Sequence, residues 1–170
     1  MSNEKSERSI IDEWEEEILM EHSRSKTIED MTGDLIELYQ HYSKFIIDPS
    51  KASTSWSTAI NSRYDDARYS LNSVNGAKPE NILRELNKKK PEIIKKGGKA
   101  AIKELKHGGI DEDLFYNGEV PDSFDILTMF DDKNKFIDHI QDMARKQGEK
   151  DPRRSMAYQN AINMLNDYKE

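Results

Sequence analysis

Apolar residues recur at helical spacing along nearly the whole of this chain. Ile11, Trp14 and Ile18 share one face of Ser9 to Ser23, while Asp12, Glu13, Glu15, Glu16, Glu17 and Glu21 occupy the others, a pattern that predicts an acidic amphipathic helix. Thr27-Ile28-Glu29-Asp30 has the form of a cap followed by acidic first-turn residues. Ile28, Met31, Leu35, Leu38, Tyr39, Tyr42, Phe45 and Ile46 then keep the helical period as far as Asp48-Pro49, where the proline closes it. Trp56, Ile60, Tyr64, Ala67, Leu71 and Val74 predict a third helix, ended by Asn75-Gly76. Pro79 opens a shorter one to Lys90 with Ile82, Leu83 and Leu86 inward. Pro91, suited to a first turn, opens the next, which Gly108-Gly109 stops after His107.

Beyond it, Leu114, Phe115, Tyr116 and Val120, bounded by Asn117-Gly118 and Pro121, read as a loop with a short helical turn. Asp122-Ser123 can cap a helix holding Phe124, Ile126, Leu127, Met129 and Phe130. Lys133 to Gln147 carries Phe136, Ile137, Ile140, Met143 and Ala144 up to a stop at Gly148. Asp151-Pro152 starts the last helix, with Ala157, Ala161, Met164, Leu165 and Tyr168 on its inner side. No strand signal of comparable length occurs, so the pattern predicts an all-α fold, a compact bundle of about seven or eight short-to-medium helices. Residues 1–24 form the acidic N-terminal helix of this scheme and residues 25–170 a helical domain. That domain is open to division into two related units, 26–109 and 122–170, because Asp48-Pro49, Trp56 and Ala59-Ile60-Asn61 echo Asp151-Pro152, Tyr158 and Ala161-Ile162-Asn163 with a slip of one residue.

Charge sharpens the picture at one place. Arg84 to Lys106 carries a formal +6 in a chain of net −7, so everything else sums to −13. Within Pro91 to His107, Ile94, Gly98, Ala101 and Leu105 make a narrow small-residue stripe able to approach another helix closely. Lys96, Lys99, Lys103 and Lys106 repeat about 200° away on the opposite face. Gly97 and Gly98 each cost roughly 1 kcal/mol relative to Ala inside a helix, which predicts close packing or a break there. Lys88, Lys89, Lys90, Lys95, Lys96, Lys99, Lys103 and Lys106 are therefore the candidate contacts for an acidic partner. The acidic first helix in turn suits a basic partner, including the lysine ridge of its own chain or of a second copy, which predicts a homo-oligomer.

Composition excludes several classes. With 35% charged and 35% hydrophobic residues the chain is too apolar for disorder, and it has no apolar run of the roughly 20 residues needed to span a bilayer, so an intracellular, soluble protein without membrane contact is expected. No cysteine is present, which removes disulfides, thiolate nucleophiles and Cys-based zinc sites. Gly97-Gly98-Lys99-Ala100 lacks the spaced first glycine and the hydroxyl of a phosphate loop. His22, His41, His107 and His139 are scattered, and Glu37 with His41 alone cannot close a metal site. The acidic run Asp111 to Asp132 lacks the alternating ligands and central glycine of a calcium loop. No metal, no cofactor and no catalytic set is expected.

Phe136 to Tyr168, reading FIDHIQDMARKQGEKDPRRSMAYQNAINMLNDY, resembles the first helices of the N-terminal helix-hairpin-helix domain of family X DNA polymerases. Ala157, Tyr158 and Ala161 stand at the positions of that family's Ala-Tyr-x-x-Ala signature, and Arg154 matches a basic position that there faces DNA phosphate. The resemblance covers about a fifth of the chain, and the family's glycine hairpin and lysine-bearing helix do not follow, since Gly97 to Lys103 precedes the matched segment. It implies nucleic-acid backbone contacts that include Arg153 and Arg154, and it raises Schiff-base lyase chemistry, for which Lys99 and Lys103 are the candidates. Two readings stand side by side: a non-catalytic accessory protein whose ridge binds an acidic surface such as nucleic-acid backbone, and a protein-protein interaction module of viral or regulatory adaptor type. The acidic balance and the lack of aromatic residues among the lysines favour the second.

Overall fold

From Ser2 to Ile47 the backbone runs as a single helix, α1, of 46 residues, about 69 Å long at 1.5 Å per residue. The computed structural model describes residues 2–74, 78–109 and 125–170, with side chains from residue 12 onward. The two helices expected before Pro49 are therefore one. Thr27, expected as a cap, is buried inside α1, and no proline falls between Ser2 and Ile47 to break the i→i−4 ladder. Helices α2 (Thr54–Asn72) and α3 (Pro79–His107) follow. A second merger occurs in α3, which continues through Pro91. Proline removes one ladder bond there, but Leu86 before it and Ile93 after it are both anchored in the core, so the helix passes through without ending.

Three more helices complete the described fold: α4 (Ile126–Met129), α5 (Lys133–Lys150) and α6 (Ser155–Asn166). The described residues are thus all-α and hold six α-helices instead of seven or eight. Asp125, not the Asp122-Ser123 pair, caps α4 by accepting from Leu127 N at 2.9 Å. Gly148 lies inside α5 and packs beneath the ring of Tyr158 instead of stopping the helix. Asn75-Gly76, the expected loop and turn over 114–121 and Asp122-Ser123 lie outside the described residues, as do the acids Asp111 to Asp122 and the side chain of Ile11.

Helix α1 packs on α2 along one side and α3 along another, and α5 pairs with α6. Its contacts to α3 run in step: Arg24 reaches Glu85, Gln40 and Lys44 reach Glu104, and Lys51 reaches the Gly108 carbonyl. The two helices are therefore parallel. Tyr64 of α2 stacks between Phe130 and Phe136, with ring centroids 5.2 and 4.9 Å away, and its hydroxyl donates to Met129 O at 2.9 Å. Burial pushes the Tyr64 phenol up to about 12. Both Asp-Pro pairs open a 3₁₀ turn between helices, Pro49–Lys51 and Pro152–Arg154. The second turn and α6 meet the C-terminal end of α1, where Tyr158 Oη donates to Ile46 O at 2.5 Å and Arg154 Nη1 to Ile47 O at 2.8 Å. Those are two of the carbonyls that a helix end leaves without intrahelical partners. No helix among the described residues is long and apolar enough to cross a membrane.

A candidate binding surface on the basic helix

One face of α3 is fixed against α1 by a close backbone approach. A Cβ on Gly97 would sit 2.8 Å from Tyr39 Cβ, 2.9 Å from Ile36 O and 3.0 Å from Gln40 N, so only glycine allows the two helices to meet at this distance. Around it Ile93, Ala101 and Leu105 are buried at steps of four residues. The inward stripe is centred on Ile93 and Gly97, one position before the expected Ile94 and Gly98. Gly98 is buried too, yet a Cβ there would meet nothing within 4 Å.

At 100° per residue, Lys88, Lys95, Lys99 and Lys103 fall within about 80° of arc on the side of α3 opposite Gly97. Lys88, Lys89, Lys95, Lys96, Lys99, Lys103 and Lys106 are exposed and Lys90 is half-buried. From Lys88 to Lys106 the row measures about 27 Å. The acids of α3 are largely committed elsewhere. Glu80 pairs with Arg84 at 2.5 Å, Glu85 with Arg24 at 3.6 Å and Glu92 with Lys96 at 2.9 Å. The bond from Lys96 and its positive charge hold the Glu92 carboxyl below its usual range.

Glu104 turns toward α1. Its two oxygens accept from Gln40 Nε2 and Lys44 Nζ, each at 2.9 Å. Burial works to raise its pKa, but those two bonds and the charge of Lys44 outweigh it and the carboxyl lies below its ordinary 4.5. Lys44 itself is 1% exposed. Its ammonium lies 4.7 Å from the centroid of the Trp56 ring, which meets Phe45 edge-on at 5.5 Å. His41 beside it is pushed below 6.5, first by desolvation and then by Lys44. With Glu104 drawn inward, Lys88, Lys89, Lys95, Lys99 and Lys103 make no ion pair among the described residues.

Beside the ridge, Gln40, Ala100, Lys103, Glu104, Lys106 and His107 line an open groove of about 700 Å³ between α3 and α1. The two arginines lie apart from it, on a turn that packs against α5 and α6. Arg153 is 82% exposed beside Asp151, at 3.3 Å. Arg154 is 11% exposed, 3.6 Å from the other Asp151 oxygen, and spends a donor on Ile47 O. The structure therefore brings the α3 lysines together and leaves the arginines out, with Arg154 turned into the fold. Lys99 and Lys103 face water, whereas a Schiff-base lysine needs a desolvated site. Among the described residues the ridge sets exposed ammonium groups along a line, a spacing that suits carboxylates or phosphates.

Sequence reasoning did not find the Lys44–Glu104–Gln40 cluster. Its one signal was a lysine inside the apolar run Tyr42 to Ile47.

The other free surface is the start of α1. Side chains 12–22 are all exposed, Trp14 at 64% and Ile18 and Leu19 at 67% each, and the first buried side chain among those described is Thr27. This arm leaves the bundle where Arg24 meets Glu85. No protein-family model matches the chain, and neither a curated protein nor a solved structure matches it.

Proposed function

We propose that this protein is a non-catalytic helical binding module that takes an acidic protein surface along the lysine ridge of α3. The observation that carries the reading is the disposition of charge on that helix. Glu104 is drawn inward to Lys44, while Lys95, Lys99 and Lys103 stand exposed in a row on a helix whose inner face is fixed against α1. Ammonium groups already held in line lose less freedom on binding than groups on a loop. A carboxylate partner fits better than nucleic acid for two reasons. The rest of the chain carries −13 and repels phosphate at long range, and no aromatic side chain stands among the lysines to stack a base. The likeness to the polymerase hairpin adds little to the phosphate reading, because Arg154 is committed to Ile47. The charged, cysteine-free composition supports an intracellular and soluble setting, and an adaptor role of viral or regulatory kind accords with a surface that binds without reacting.

The test is Lys95→Gln, Lys99→Gln and Lys103→Gln together. Glutamine nearly matches lysine in helix propensity, so the helical content should not change. Binding of a labelled poly-glutamate peptide at low salt should fall at least about tenfold, since three charge contacts are lost. In parallel, duplex and single-stranded DNA should bind weakly in both forms. If DNA instead binds tightly and the triple change lowers the slope of log affinity against log salt by about 2 to 3, the partner is phosphate backbone. Unchanged binding of peptide and DNA in a folded variant refutes the functional role of the ridge.

A further inference from the structure

Two exposed surfaces among the described residues carry opposite charge. Between Asp12 and Glu21 the α1 arm has six carboxylates and no lysine or arginine. The exposed arm from Asp12 to His22 extends about 15 Å, close to the roughly 12 Å from Lys95 to Lys103 within the ridge. On the arm, Trp14 and Ile18 share one face, with Glu17 and Glu21 along one edge of it and Glu15 along the other. A tryptophan left exposed on a helix and flanked by acids is a docking element that meets no partner among the described residues.

Its own ridge is out of reach. Helix α1 is continuous through Arg24, where it meets Glu85, and the arm runs on from there away from the bundle. The lysines point to the opposite side of α3 and lie further along in the other direction, from Lys88 onward. Contact within one chain would require α1 to break. Two arms laid side by side would set carboxylate against carboxylate over ten residues, which is unfavourable. The ridge of another copy has the matching sign, and beside it is the open groove lined by Gln40, Ala100, Lys103, Glu104, Lys106 and His107, against which an indole can lie. Lysine stems give such a groove an apolar wall below the charges.

We propose that the α1 arm of one copy docks on the α3 ridge of a second copy, with Trp14 in that groove and Glu15, Glu17 and Glu21 against Lys95, Lys99 and Lys103. Two copies related by a two-fold axis, with the arm of each antiparallel to the other's α3, lay each arm on the other's ridge in one isologous contact and close as a pair. The proposal rests on the ridge being a binding surface for carboxylates.

Charge reversal on each side tests it by sedimentation of the full chain. The wild type should be a dimer at low salt that dissociates as salt rises. Lys95→Glu with Lys99→Glu and Lys103→Glu, and separately Glu15→Lys with Glu17→Lys and Glu21→Lys, should each weaken the dimer by at least about a hundredfold, since like charges then face one another. All six positions are exposed, so folding should survive in both. An equimolar mixture of the two variants restores opposite charge at both contacts and should form a heterodimer. A wild type that is monomeric at 100 μM and low salt overturns the proposal; so does a dimer that persists in either variant, or a mixture that stays monomeric. If the wild type is monomeric but poly-glutamate still binds in a manner dependent on the three lysines, the docking proposal fails and the binding role of the ridge stands. If the peptide does not bind either, both fail.

Discussion

Replacing Gly97 by Ala and Gly98 by Ala should move stability in opposite directions, although the residues are adjacent in one helix. At Gly97 the added methyl would sit 2.8 to 3.0 Å from Tyr39 Cβ, Ile36 O and Gln40 N. None of these atoms belongs to the end of a flexible side chain, so relief requires α3 to move away from α1. Overpacking of this kind costs about 1–3 kcal/mol, and such a rigid contact belongs at the upper end. Alanine's advantage over glycine inside a helix returns roughly 1 kcal/mol, which leaves a net loss of about 2 kcal/mol. Gly98→Ala meets nothing within 4 Å and keeps the propensity gain alone, about 1 kcal/mol in the stabilising direction. For a chain of this size 1 kcal/mol shifts Tm by roughly 2–4 °C, so Gly97→Ala should melt about 4–8 °C below wild type and Gly98→Ala about 2–4 °C above it. Thermal unfolding followed by circular dichroism at 222 nm, with urea titration to confirm unchanged m-values, measures both. A Gly97→Ala protein that melts at or above wild type would refute the close approach of α1 and α3, and upward shifts at both sites would show that propensity alone governs the pair.

Glu104→Gln leaves the ammonium of Lys44 buried without its carboxylate; with Glu104 itself 48% exposed, the loss should be about 1–3 kcal/mol, below the roughly 3–5 of a fully buried pair, and a urea midpoint equal to wild type would count against it. Acid should act in two stages. His41 lies below 6.5 in the fold, so the unfolded chain protonates first and stability falls as pH drops below about 6.5; Glu104 lies below 4.5, so its contribution is full above about 4.5 and is lost as pH falls through the lower folded value. His41→Gln should flatten the first stage in a urea series from pH 7 to 5 and leave the second. Tyr158→Phe removes the bond to Ile46 O and leaves a buried carbonyl at the end of α1 without that donor, at a cost of about 1–2 kcal/mol by urea unfolding.

The inward faces of the helices were readable because the 3.6-residue period depends on local spacing alone. Met31, Leu35, Leu38, Phe45, Ile60, Tyr64, Ile82 and Leu86 are all buried where the pattern predicts. Helix boundaries were not readable in the same way. Thr27 has the chemistry of a cap and Pro91 that of a first turn, but capping gives about 1 kcal/mol; burial of Leu86 and Ile93 on either side outweighs it at Pro91, and α1 runs on through Thr27 although no side chain from 12 to 26 is buried. The arm shows the reverse case. Its amphipathic pattern is the same signal that marks a packed helix, and periodicity does not distinguish a face that finds a partner in the chain from one that does not.

The ridge depends on where one carboxylate points. Glu104 lies within two residues of Lys103 and Lys106 in sequence, where it reads as a charge that dilutes the row. In space it points to Gln40 and Lys44, because Lys44 is held among Phe45, Trp56 and α3 with no water to solvate its ammonium. At 100° per residue Glu104 stands about 20° from Gly97, on the face of α3 turned to α1, where a buried lysine holds its carboxylate, and the close contact at Gly97, two turns earlier, sets the separation at which Gln40 and Lys44 can reach it. The core and the candidate binding surface are therefore coupled through α3. A change that widens the α1–α3 gap weakens the grip on Glu104 and frees its carboxylate beside Lys103, so Gly97→Ala should weaken poly-glutamate binding even though it touches no residue of the ridge, whereas Gly98→Ala should leave binding unchanged.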